Sequence, residues 1–384
     1  MEVKQIYEIV NTITSETLGA ETIVNEDLSN IVDIGTEVFN QSAVDNYVRS
    51  LVDHIGKVVF VNRPYQGSAP SVLMDGWEYG RVLEKIKAEM PVAEANESWE
   101  LEDGVSYDPN MFYKPSVSAK FFNKAVTFEV PMSFTEMQIK ESFSNAVQLN
   151  GFMSMLYTAI DKSMTVKLDG LIMRTINNMI GETVHDDFGS SSLSGGSGIK
   201  AVNLLKSYNT DFSKSLTAAD ALTDPDFIRY AAFKMGVYEN RLMKISKLFN
   251  IGGKDRFTTN DVLHVVLLSD FAKAADVYLQ SDTFHNEFTK LPKAETVPYW
   301  QGSGTSYAFS DVSKINIKTT SGDTVEVPGI LGVMFDRDSL GVTNMNKRVT
   351  SNYNPKAEFW NNWYKYDSGY FNDFDENFVV FFMA

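Results

Sequence analysis

The sequence has no cysteine. That excludes disulfides and any thiolate metal centre, and it makes the chain indifferent to redox compartment. Histidine is almost as scarce. His54, His185, His264 and His285 are the only four, and no two have the His-Glu-x-x-His spacing that sets two imidazoles on one helix face. His264 falls in an apolar strand and reads as a core histidine. Excess positive charge is missing too. Lys and Arg number 34 against 50 Asp and Glu, a formal net charge of −16. High-affinity nucleic-acid binding needs clustered basic side chains on the phosphates, so the charge argues against it; a surface lying near nucleic acid without sticking to it is permitted. No apolar run is long enough to span a membrane, and Met-Glu-Val-Lys-Gln does not start a signal peptide. A soluble intracellular product is expected. The absence of a Gly-x-Ser-x-Gly elbow leaves acyl transfer without a nucleophile.

What the chain does have is a long helical stripe over 144–180. Leu149, Met153, Leu156, Ile160, Met164, Leu168, Leu171, Ile172, Ile176 and Met179 recur in steps of three and four, which lines one helix face with apolar residues. Asn145, Gln148, Asp161, Lys162, Lys167, Asp169 and Arg174 occupy the other face. No proline interrupts. Gly151 and Gly170 weaken the helix by about 1 kcal/mol each. Some 37 residues make a rod of about 55 Å. A coiled coil would want regular Glu/Lys flanks, which are missing, so the expectation is a single long helix lying across a sheet.

Around it the chain reads as α+β. Residues 1–56 alternate short amphipathic pieces with polar breaks, helical over 5–13 and 40–55, interrupted by 27–30 and Gly35. Alone they bury little, so they must dock on their own domain or on a neighbour. A strand is expected over 57–61, after a helix capped by Gly56. Residues 62–132 form a long two-stranded excursion. Pro64, Gly67, Pro70, Gly76 and Gly80 punctuate its outward path. Glu94, Glu97, Glu100, Glu102, Asp103 and Asp108 make an acidic tip, and Ala119, Phe121, Val126, Phe128 and Val130 alternate on the return. A lone hairpin is marginal in water, so the excursion needs support from its own domain or from another subunit. Pro131 is expected to end the return strand, with Ser133 and Glu136 as a capping box for a helix over 134–141. Beyond the long helix, 186–198 is rich in Gly and Ser and reads as a flexible linker. A helix over 224–241, a buried strand over 262–268, a helix from Ser269 to Gln280, a hairpin over 315–327 and a buried strand over 330–335 follow. Residues 344–384 return to strands, dense in aromatics over 358–366 and apolar over 378–383. No appended domain is expected after them.

Candidate chemistry is thin. The linker fails as a phosphate loop because Lys200 follows Ile199 and precedes Ala201, where Gly-Lys-Ser/Thr is required. His185-Asp186-Asp187 reads as a solvated turn. Asp336-Arg337-Asp338 is the best site-like feature, since two carboxylates at a strand end can hold a divalent ion. It supports an alternative reading as a metal-assisted hydrolase or transferase centred on Asp336 and Asp338; the same triplet serves equally well as a turn. No catalytic residue, metal ligand or cofactor is assigned.

Ser50-Leu51-Val52-Asp53-His54-Ile55-Gly56 ahead of the excursion, Gly80-Arg81-Val82-Leu83-Glu84-Lys85-Ile86 on it, Val333-Met334-Phe335-Asp336-Arg337-Asp338 and the aromatic run 360–366 occur in an order that resembles the major capsid protein of tailed bacteriophages. This is the Hong Kong 97-type fold, and the likeness is nearest to the small short-tailed phages of Gram-positive hosts, of the phi-twenty-nine type. The resemblance implies an N-arm (1–56), an E-loop (57–132), a peripheral P-domain (133–200 and 344–384, with its spine helix about 144–180) and an axial A-domain (201–343). It implies a structural protein, not an enzyme. Such a protein self-assembles as pentamers and hexamers into an icosahedral virion shell around double-stranded DNA. Its partners would be other copies of itself, a separate scaffolding protein and a portal protein, with the packaged DNA nearby but not bound by sequence, and no membrane. It would be made in the host bacterial cytoplasm.

Overall fold

A computed structural model describes residues 3–19, 24–40, 44, 46–51, 54, 69–74, 83–89, 91, 93, 100–107, 110, 112–189, 191–280, 291–301 and 306–384. The strand expected over 57–61, the Gly56 cap, and Pro64, Gly67, Gly76, Gly80, Glu94, Glu97, Asp108 and His285 lie outside them. The chain divides into two compact units. The first is Met1–Glu78, Ala125–Thr175 and Gly341–Tyr370; the second is Tyr79–Lys124, Ile176–Leu340 and Phe371–Ala384.

In the first unit the sheet explains itself strand by strand. Strand β1 (Leu73–Met74) runs parallel to β11 (Leu340–Asn354), which is followed by β12 (Phe359–Asn372) and β4 (Ala125–Thr135) in the order β1-β11-β12-β4. Along the β4–β12 ladder, Phe128 faces Tyr366, Val130 faces Tyr364, Met132 faces Asn362 and Phe134 faces Trp360. Alternate residues share a face, so these pairs make one wall of the core. Pro131 does not end β4. The strand lies at the sheet edge, where a missing backbone donor can be tolerated, and the ladder continues to Thr135 opposite Phe359. The capping box therefore falls two residues later than Ser133: Thr135 accepts from the Gln138 backbone and Gln138 returns the bond, starting a helix over Glu136–Ser142.

The other wall is helical. All ten stripe residues are buried, and the helix is longer than expected, Ala146–Phe188. Leu149, Met153, Leu156, Ile160 and Met164 join Val130, Phe134, Trp360, Tyr364 and Tyr366 in one core. Helix α1 (Val3–Leu18) adds Ile6, Ile9, Val10 and Ile13; α2 (Ile31–Asn40) adds Ile31, Ile34 and Val38; Tyr47, Val48 and Leu51 follow. The N-terminal segment thus docks on its own unit, which decides between the two alternatives left by its sequence. Gly35 does not interrupt α2. A Cβ there would come 2.6 Å from Phe143 Cβ, so glycine is present for close packing.

The second unit holds a sheet ordered β5 (Ala201–Asn203), β13 (Phe378–Phe382), β10 (Ile330–Asp336), β6 (Leu263–Leu268) and β7 (Glu295–Val297). β10 and β13 are buried along their whole length, as continuous apolar runs require when both faces are covered. One face packs on helices over Leu204–Asp211, Pro225–Leu242 and Ser269–Gln280 through Tyr208, Phe227, Met235, Phe271 and Phe381. On the far face Phe188 meets Phe382 with ring centroids 5.9 Å apart. Asp224 caps its helix through bonds from the backbone of Asp226 and Phe227. The hairpin over 315–327 forms as β8 (Ile315–Lys318) and β9 (Thr324–Val327). The closing strand, expected with 344–384, instead pairs with β10 and β5. A fully apolar strand needs a sheet interior, and the second unit provides one.

Candidate assembly surface

The excursion yields one ordered ribbon in the described residues: β2 (Leu83–Ala88) antiparallel to β3 (Val117–Phe122). The expected return strand is split, because residues 123–124 separate β3 from β4. Directly opposed residues share a face. Leu83/Phe122, Lys85/Lys120 and Lys87/Ser118 form the inner face, whereas Glu84/Phe121, Ile86/Ala119 and Ala88/Val117 form the outer one. The outer face is exposed and apolar: Ile86 is 63%, Phe121 64% and Val117 58% accessible. Phe112 and Tyr113 continue this exposure, and Leu101, Val105 and Tyr107 lie exposed among Glu100, Glu102 and Asp103 of the acidic tip. Contiguous exposed apolar side chains are characteristic of interaction surfaces, and Ile86, Val117 and Phe121 share one ribbon face.

The inner face is electrostatic. Asp373 receives Lys120 Nζ at 2.9 Å and Lys85 Nζ at 3.4 Å. Asp375 receives Lys120 at 2.6 Å. Glu376 receives Lys87 and, at 3.3 Å, Arg256 Nε. Asp338 faces Lys87 at 3.6 Å, and its carbonyl accepts from Lys85. Lys254 joins Glu89 at 2.8 Å just beyond the ribbon. The Asp373 side chain is 2% exposed and that of Glu376 4%. Burial would raise the Asp373 pKa, but the hydrogen bond from Lys120 and the charge of Lys85 outweigh it and hold the carboxyl below the usual range. Burial pushes the Lys85 ammonium down, against the pull of Asp373 and Asp338. Lys120 is raised, its bonds to Asp375 and Asp373 together overcoming desolvation. Removing one member of a buried pair costs about 3–5 kcal/mol, whereas replacing the whole set by apolar groups is often neutral. Backbone bonds fix the acidic turn: Asp373 N donates to Ser339 O, and Gly252 N to Phe374 O.

Asp336, Arg337 and Asp338 form a turn. Asp336 Oδ2 accepts from Thr258 Oγ1 at 2.8 Å and Oδ1 from Asp338 N at 2.9 Å, while Asp338 points at Lys87. The pair is therefore spent on a turn and a lysine rather than aimed at one point, and among the described residues no cluster of three His, Asp or Glu is arranged to hold a metal. His264 is only half-buried, so it is not the core histidine expected; it stacks on Phe335 at 5.7 Å, with its pKa lowered by burial. The expected linker is tied down. Asp187 Oδ2 accepts from the backbone of Lys200 and Ala201, and Lys200 Nζ lies 2.7 Å from Asp186 and 2.8 Å from Asp187. His185-Asp186-Asp187 is thus the last turn of a helix holding a lysine, not a solvated turn. Sequence reading missed Asp373, Asp375 and Glu376. Its available signal was Lys85 and Lys87 sharing one strand face with Leu83 while Glu84 and Ile86 take the other, a face whose ammonium groups demand anions from somewhere.

The solved capsid structure of Staphylococcus phage Andhra resembles the chain with a TM-score of 0.51 and 9% identity, over 83% of this chain and 84% of that one. A Microbacterium phage Oxtober96 structure (TM-score 0.44, 10% identity, 84% and 93% covered) and the capsid of cyanophage P-SCSP1u (0.43, 10%, 84% and 88%) are more distant. No curated protein sequence matches. Residues 9–382 match the Phi29-like phage major capsid protein family, and the chain belongs to it. It is a structural component of the phage capsid with a Hong Kong 97-type fold, not an enzyme, and the hydrolase alternative falls. No helix among the described residues is long and apolar enough to cross a membrane.

Proposed function

We propose that the chain closes an icosahedral shell as pentamers and hexamers around double-stranded DNA, and that the ribbon's outer face is its contact with an adjacent copy. The observation that carries this reading is the exposed trio Ile86, Val117 and Phe121 on a ribbon already anchored by its other face. Residues 57–132 act as the E-loop and 1–56 as the N-arm; the burial of α1 and α2 in their own unit supports an arm that stays home. The helix about 144–180 is the spine of the P-domain (133–200 and 344–384). The sheet containing Ile330–Asp336 supports an axial A-domain over 201–343, extended by Phe378–Phe382. A separate scaffolding protein and a portal protein complete the assembly, which forms in the host cytoplasm. With a net charge of −16, the shell holds DNA by enclosure rather than by binding its sequence. Light scattering and negative-stain microscopy of purified protein test this: capsomers, tubes or shells are expected, and a monomer under every condition overturns it.

A further inference from the structure

Lys85 and Lys120 stand directly opposite one another in the ribbon. Like charges so placed destabilise a strand pair, and a two-stranded ribbon is marginal to begin with. Lys85 is also partly desolvated, lying 4.6 Å from the ring centre of Phe371 and 5.9 Å from that of Phe122. The ribbon's own pairing therefore does not account for its order. The geometry points to Asp373 as the residue that positions the ribbon, bridging one ammonium from each strand and so fixing both their register and their seat on the 373–376 turn.

Three details carry the assignment. Asp373 is held from behind by its backbone bond to Ser339 and by the Asp375 N–H on Oδ1. It is buried, so its pull on the two ammonium groups is little screened by salt. Its neighbours Asp375 and Glu376 each serve one strand, through Lys120 and Lys87 respectively, whereas Asp373 alone among the described acids of the turn meets both strands. The outer face can be apolar and regular because alignment of the strands is set from the inner face. The consequence for assembly rests on the reading given under Proposed function.

The test is Asp373→Asn in the full chain, followed by hydrogen exchange. The amides of 83–88 and 117–122 should exchange at least tenfold faster, while those of 263–268 and 330–336 stay as in the parent. Adding Lys85→Met and Lys120→Met to Asp373→Asn should restore ribbon protection, because no repulsion remains; adding Lys87→Met instead should not. Unchanged ribbon exchange in Asp373→Asn overturns the assignment. So does uniform acceleration across the whole second unit, or failure of the double lysine replacement to rescue. If exchange behaves as expected but Phe121→Glu still builds shells, the positioning role stands and the assembly reading falls.

Discussion

Tyr366 donates its phenolic hydrogen to the carbonyl of Met164, 3.2 Å away, and so ties the middle of β12 to the long helix. Both residues are buried, and the Tyr366 ring also packs on Phe128 at 5.1 Å. Tyr366→Phe keeps the ring and loses only the bond. A neutral hydrogen bond contributes about 1 kcal/mol net, so calorimetry should show a melting temperature lower by about 2–4 °C. A fall several times larger would mean that the hydroxyl orders more of the interface than one bond.

The helix stripe is a stronger test of the same core. Leu156 and Ile160 are 2% and 0% exposed and face an apolar wall, and among the described residues no lysine or arginine is buried. Leu156→Asp or Ile160→Asp buries a carboxylate without a partner, at a cost of several kcal/mol. That rivals the stability of a whole domain, about 5–15 kcal/mol. Both variants should be insoluble or lack a cooperative melt. A soluble, cooperatively folding variant would place the stripe against water.

The parts legible in the sequence are those written in local pattern. Leu149 through Met179 announce the helix because a 3.6-residue period needs no partner to be recognised. The hairpin joining Ile315–Lys318 to Thr324–Val327 is equally local. What stayed hidden was long-range. Nothing near Lys85 says that its anion is Asp373, 288 positions away. Pro131 looked like a strand end because its tolerance depends on β4 being an edge, a property of the whole sheet. Gly35 looked like a helix break because the reason for it is Phe143. The excursion's outer face was readable as exposed apolar residues only once the register had paired them.

The ribbon latch should survive moderate acid. Asp373 has a folded-state pKa below its ordinary value, so its contribution is present above the unfolded value near 3.8 and is lost as pH falls through the folded one. Lys120 is shifted upward, so its contribution is intact below about 10.5 and is lost as pH rises past that. The facing groups are Lys85, Lys87, Arg256, Asp338, Asp375 and Glu376. Burial pushes Lys85 down, so it loses its proton first as pH rises and leaves the raised Lys120 on Asp373 with no like charge opposite; trypsin cleavage after Lys87 and Lys120 should therefore stay slow at alkaline pH up to the limit of the protease. Hydrogen exchange after acid pulses should show ribbon opening only below about pH 4. Opening between pH 5 and 7 would contradict the shift of Asp373.

Chelation should leave the protein unchanged. The two Asp336 oxygens are occupied by Thr258 and by the backbone of Asp338, and the nearby acids are neutralised by ammonium groups. Dialysis against excess EDTA, followed by a thermal melt, should move the midpoint by less than about 1 °C; a bound structural metal can contribute ~10 kcal/mol and would shift it far more. A large fall would return Asp336 and Asp338 to the list of metal ligands.

The ribbon's outer face gives the sharpest separation of folding from assembly. Ile86, Val117 and Phe121 are more than half exposed in their own unit. Phe121→Glu should therefore leave the melting temperature of the unassembled protein within about 2 °C, since surface substitutions change stability by about 0.5 kcal/mol. Burying such a side chain against a neighbour is worth about 1.5–3 kcal/mol, and the loss recurs at every copy in a closed shell. Shell yield by sedimentation should fall by at least tenfold. Glu84 sits directly across from Phe121 in the same ribbon, so Phe121→Lys, which places an opposite charge there, should lose assembly equally and exclude like-charge strain within the ribbon as the cause. Phe121→Leu keeps the surface apolar and should retain assembly, which separates loss of the contact from general damage. Raising salt should weaken assembly further if Glu100, Glu102 and Asp103 meet basic residues of the neighbour, because exposed pairs are screened over about 8–10 Å. Normal shells from Phe121→Glu would mean that this face meets solvent, and the contact would then have to be sought elsewhere on the subunit.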